Sequence, residues 1–144
     1  MNAWTHRAYT RDECAVLCGM PRGSLDVLTH RARDVSVLFT EKRGTKRWFS
    51  VKDICVLRIA HELERAGRSW LMAIGAAFDN LQHPPPADAL LIAPAVIRRG
   101  CGLPRIISDR DVPRLNFERS EIIVPIGLIC QTIVKEAENV AVEK

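Results

Sequence analysis

Residues 84–144 contain no histidine, and none of the chain's five cysteines stands in a C-x-x-C pair. The first absence removes the commonest general base from the second half of the chain. The second removes the usual dithiol and zinc-knuckle spacing. No apolar run approaches the length of a membrane span, and the N-terminus lacks the apolar core of a signal peptide. Aromatic residues make up only 6% of the sequence, so each of the three Trp carries information. Cys14, Cys18, Cys55, Cys101 and Cys130 form an odd set, most of them in apolar surroundings. Reduced, buried thiols in a cytoplasmic protein are the expectation. Neither a cofactor nor a metal is expected, and the chain reads as a non-enzyme.

What is present is a positive charge confined to one part of the chain. The net charge is +4, and residues 1–83 carry all of it, while residues 84–144 are neutral. Arg outnumbers Lys 16 to 5. A guanidinium offers a planar fork suited to phosphates and to guanine edges. A polyanion partner for the first part fits both observations.

Local signals divide the first part into short elements. Thr10 caps a helix from Arg11, with Glu13 completing a capping box. Cys14, Leu17 and Cys18 supply its apolar face, and Gly19 suits a tight exit. Pro21 suits the first turn of a second helix running to about Thr29 or His30, with Leu25 and Leu28 inward. Val35 to Phe39 reads as a strand, Glu41 to Gly44 as a turn, and Lys46 to Phe49 as the returning strand. Ser50 caps a helix from Val51 to about Ala66, Gly67 stops it, and Ser69 starts another. Pro84-Pro85-Pro86 marks a stiff linker. Beyond it, Pro94 interrupts the apolar run 89–97, 106–107 and 121–124 read as short strands, and Pro125 opens a last helix. Its stripe of Ile126, Ile129, Cys130, Ile133, Val134, Ala137 and Val140 must be buried, against its own small unit or a second subunit.

The expected class is α+β. A winged helix-turn-helix occupies 1–83, a Pro-rich linker 84–88, and a small α/β unit for dimerisation or partner binding 89–144. The second helix is the candidate reader of double-stranded DNA. Arg22 and Arg31 suit phosphate or guanine, Ser24 and Asp26 suit bases or the orientation of an Arg, and His30 suits phosphate. The Thr10 end of the first helix offers backbone N–H groups to phosphate. Lys42, Arg43, Lys46 and Arg47 around Gly44 form a basic tip for the backbone or minor groove. Arg68 adds a further phosphate contact. Cys14 and Cys18, four residues apart, read as core thiols rather than metal ligands.

Residues 9–82 resemble the DNA-binding domain of the MerR family. The resemblance lies in YTRDECAVLCGMPRGSLDVLTHR, in the wing and helix KRGTKRWFSVKDICVLRIAHELERAG, and in RSWLMAIGAAFDNL. It implies recognition-helix contacts at Arg22, Ser24, Asp26 and His30 and wing contacts at Arg43, Lys46 and Arg47. The sequence departs from that pattern at Leu25-Asp26-Val27-Leu28, where an Arg-Tyr-Tyr-like stretch is usual. The long pairing helix after residue 82 is also missing. The resulting expectation is an atypical, phage-type transcription regulator acting as a homodimer on a palindromic or repeated site, with contact to RNA polymerase open. An excisionase-like or packaging adaptor is the first alternative. An enzyme using Asp109, Asp111 and Glu118 is the second.

Overall fold

A computed structural model describes residues 2–31, 41–44 and 46–144, the side chains of 41–43 excepted. It is a mixed α+β structure. Strand β1 (Tyr9–Thr10) leads into helix α1 (Arg11–Cys18). The capping box is formed: the Glu13 N–H donates to Thr10 Oγ1 at 3.3 Å, and the Thr10 N–H to Glu13 Oε1 at 2.9 Å. Gly19, at φ 70°, ends the helix, and the Met20 N–H returns to the Ala15 carbonyl. Arg58 Nη1 covers the Cys18 carbonyl at 2.9 Å.

Helix α2 spans Arg22–Arg31, with the Pro21 carbonyl accepting from Leu25. Pro21 therefore sits just ahead of the first turn. Strands β2 (Glu41–Arg43) and β3 (Lys46–Phe49) form an antiparallel hairpin closed at the Arg43–Lys46 pair. This corrects the expected turn over Glu41 to Gly44, because 41–43 pair with β3 and the reversal begins at Gly44, φ 64°. β1 joins the other edge of β3, giving the order β1-β3-β2. The expected strand Val35–Phe39 lies outside the described residues.

Helix α3 (Val51–Arg65) is capped by Ser50 and Asp53. It buries Ile54, Cys55, Val56, Leu57, Ile59, Ala60 and Leu63, side chains pointing almost all round the helix. A helix so apolar on several sides belongs at the centre of a core. It packs on α1, on α4 (Trp70–Asn80) and on α5 (Ile126–Glu143). A second antiparallel sheet has the order β5-β4-β6, formed by Arg105–Ser108, Ala89–Pro94 and Glu121–Val124. On β4, Ala89, Leu91 and Ala93 alternate toward the core. A 3-10 turn over Asp109–Arg114, which nothing in the sequence pattern announced, follows β5.

Two expectations about the second half are corrected. The stripe on α5 is occupied within the chain. Ile126, Cys130, Ile133 and Ala137 are at most 3% exposed in the same core as α1 and α3, and Ile129, Val134 and Val140 pack at its margin. These side chains are not a free dimerisation face, because α3 and β4 already cover them. Residues 84–88 are docked rather than spacing two units apart. Pro85 is buried, Gln131 Nε2 reaches its carbonyl at 3.3 Å, and Gly127 lies directly under the carbonyls of Pro86 and Ala87. Across the chain, Tyr9 Oη donates to the Ala137 carbonyl at 3.1 Å and Trp4 Nε1 to that of Leu81 at 3.3 Å.

Candidate nucleic-acid interface

The sequence of α2 sorts its residues between two faces. Leu25, Leu28 and Thr29 are buried, and Thr29 Oγ1 returns to the Leu25 carbonyl at 2.8 Å. Arg22, Gly23, Ser24, Val27, His30 and Arg31 are exposed, and Asp26 is half-buried. A Cβ on Gly23 would meet nothing within 4 Å. The core therefore consumes one face of α2 and leaves the other open.

The open face is held by ion pairs. Arg22 Nη1 lies 3.2 Å from Asp12, and Arg11 Nη1 lies 3.3 Å from Asp26. These two reciprocal pairs bind the start of α1 to the first two turns of α2, and neither Arg11 nor Asp12 is among the contacts expected from the sequence. The signal was four charges at the starts of two adjacent helices, but pairing them needed the angle between those helices. Asp26 is thus engaged by Arg11. Arg31 Nη2 contacts Glu64 at 2.8 Å, and its guanidinium carbon lies 5.4 Å from the Trp70 ring centroid. Pairs this exposed contribute at most about 1 kcal/mol and exchange readily for phosphate oxygens.

On the hairpin, Lys46 is exposed and Arg47 half-buried, while Phe49 is fully buried and anchors β3. Lys42 and Arg43 have their backbone in β2, and their side chains lie outside the described residues.

Two expected phosphate contacts are corrected. Thr10 spends both its hydroxyl and its N–H on the capping box, and the carboxylates of Asp12 and Glu13 stand at that helix end. Burial would raise the Glu13 carboxyl, but the Thr10 N–H and the Lys144 ammonium at 2.9 Å hold it below its ordinary range. Arg68 is only 8% exposed and donates from Nη2 to the Pro94 carbonyl, so it fastens β4 instead of facing outward.

Four of the five thiols sit as core residues, and Cys101 is half-buried in the loop between Gly100 and Gly102. Cys14 and Cys18 are buried with their sulfurs 3.9 Å apart, and burial together with Cys18 pushes the Cys14 thiol up. Cys55 is likewise raised, by its contact with Cys130 and by burial. Among the described residues, no three His, Cys, Asp or Glu side chains gather in a metal-holding group. Asp109 and Glu118 are exposed on the surface, and Asp111 pairs with Arg114 at 3.6 Å. Among the described residues, no helix is long and apolar enough to cross a membrane.

Comparison with protein-family models and with curated proteins returns no match for this chain.

Proposed function

We propose that the chain is a sequence-specific binder of double-stranded DNA, a winged helix-turn-helix regulator of MerR-like type. In this reading α2 lies in the major groove and the β2–β3 hairpin rests on the backbone or in the minor groove. One observation carries it: α2 buries Leu25, Leu28 and Thr29 while Arg22, Ser24, His30 and Arg31 stay exposed on a helix tied to α1 by Arg22–Asp12 and Arg11–Asp26 and to α3 by Arg31–Glu64. A ten-residue helix is about 15 Å long and fits a groove about 12 Å wide. The exposed Lys46 beside Gly44 supports the role given to the hairpin. Arg22 and Ser24 read bases, and His30, Arg31 and the hairpin cations hold phosphates. Asp26 orients Arg11 and does not read. Two copies on a repeated site would meet through surfaces other than the α5 stripe.

Fluorescence anisotropy with DNA selected from a random pool tests this reading. Affinity falls steeply with salt, with a log–log slope of about −0.9 for each phosphate contacted. Lys46→Ala weakens all sequences alike and reduces the slope by about 1. Arg22→Ala or Ser24→Ala changes the selected sequence. Binding that ignores salt, or the absence of binding, refutes the proposal.

A further inference from the structure

Beside Arg68, between the exposed side of α4 and the loop 95–104, lies a cleft of about 590 Å³. Its volume falls within the range of sites that hold small molecules, about 300–1,000 Å³. The lining is mostly apolar: Met72 and Ala76 on α4, and Val96, Ile97 and Leu103 on the facing loop. Gly75 opens the α4 wall, because a Cβ there would meet nothing within 4 Å. Left-handed Gly100 and Gly102, both at φ 87°, shape the loop opposite.

The polar groups of this cleft are unbalanced. Arg68 lines it, is more than nine-tenths buried, and has the Pro94 carbonyl as its acceptor. Among the described residues, no carboxylate stands within ion-pair distance of it. A guanidinium is a fixed charge with five N–H donors, and one neutral carbonyl leaves most of that capacity unused. The nitrogens of Arg68 that do not bond Pro94 are not among the buried unpartnered atoms, so they keep access to solvent, where an anion can replace water with a charge-assisted bond. Exposed Arg98 and Arg99 add two more cations on the loop. The acid in the lining, Asp79, lies in the last turn of α4. Arg68 precedes the N-cap Ser69 at the opposite end of that helix. The lining thus combines three cations, Arg68, Arg98 and Arg99, and one acid, Asp79, with a mostly apolar wall.

We infer that this cleft binds a small amphipathic anion, a carboxylate or phosphate head on an apolar chain, with Arg68 holding the head. The inference goes beyond the DNA-binding reading and does not rest on it, and its test contains no DNA.

Isothermal titration of the full chain with octanoate, octyl phosphate and octanol is the test. At least one of the two anions binds, tenfold or more tightly than octanol, and which one does so identifies the head group. Gly75→Leu fills the cleft from an unstrained helical position, so it abolishes anion binding while thermal unfolding stays at or above the parent temperature. Arg68→Gln removes the preference for the anions over octanol. Because Arg68 also fastens Pro94, the Gly75 variant decides the matter should the Arg68 variant fail to fold. Equal affinity for octanol, undiminished binding in Gly75→Leu, or no heat with any of the three ligands overturns the assignment.

Discussion

Gly127→Ala places one methyl group where the chain has no room for it. A Cβ at Gly127 would lie 2.2 Å from the Pro86 carbonyl oxygen and 2.6 Å from that of Ala87. Both neighbours are backbone, so neither yields by a change of rotamer. Overpacking of this kind costs typically about 1–3 kcal/mol, and contact with two rigid carbonyls points to the upper end. Alanine in place of glycine returns up to about 1 kcal/mol of helix propensity. The net loss is then about 2 kcal/mol. With a urea slope of about 2 kcal/mol per molar, the unfolding midpoint falls by about 1 M. The melting temperature falls by about 6–8 °C for a chain of this size. The control is the same substitution at Gly75, where a Cβ meets open space. Gly75→Ala gains up to about 1 kcal/mol, so the two variants move in opposite directions. Urea and thermal unfolding of both, side by side, provide the measurement. If Gly127→Ala is as stable as the parent, the segment 84–88 is not seated on α5 and the account of a docked linker is wrong.

Asp53 gives the fold a pH dependence opposite to that of most carboxylates. Burial pushes its carboxyl from the ordinary 3.8 up to about 6, although Ser50 and Arg7 pull it down. The proton that the folded form keeps contributes stability below about pH 4, and that contribution is lost as pH rises through about 6. The difference is about 3 kcal/mol. Urea unfolding of Asp53→Asn against the parent should therefore favour the variant progressively from pH 4 to pH 7, and a constant difference would contradict this. Tyr9→Phe removes the bond to the Ala137 carbonyl and costs about 1 kcal/mol by denaturant unfolding. Thr10→Ala breaks the α1 capping box and costs a similar amount, about 1 kcal/mol, in the same assay.

Features fixed by near neighbours were legible in the sequence. Thr10 with Glu13, Ser50 ahead of Val51, and Gly19 after Cys18 all act within a few residues, and all stand where the spacing puts them. The α5 stripe was legible as a stripe, but its partner was not, because periodicity states that a face is buried and not by what. Three consecutive prolines look the same whether they span a gap or lie against a helix, and Gly127 becomes informative only once both are placed. Arg68 next to a glycine gave no sign of its burial, since the group that covers it is 26 residues away in β4. Strand β1, two residues long, is too short to show any alternation. At the candidate interface, the inward residues of α2 could be read from their spacing. The pairing of Arg11 with Asp26 and of Arg22 with Asp12 depends on how two helices cross.

The phenol of Tyr9 reaches the Ala137 carbonyl, so strand β1 and helix α5 share one interior. Residues near both termini complete one another's interior, so the first eighty or so positions are not a cassette to be transplanted onto another effector. A fragment ending at residue 83 would bare the undersides of α1 and α3 to water, and amide exchange should show the opening strand and the closing helix gaining and losing protection together.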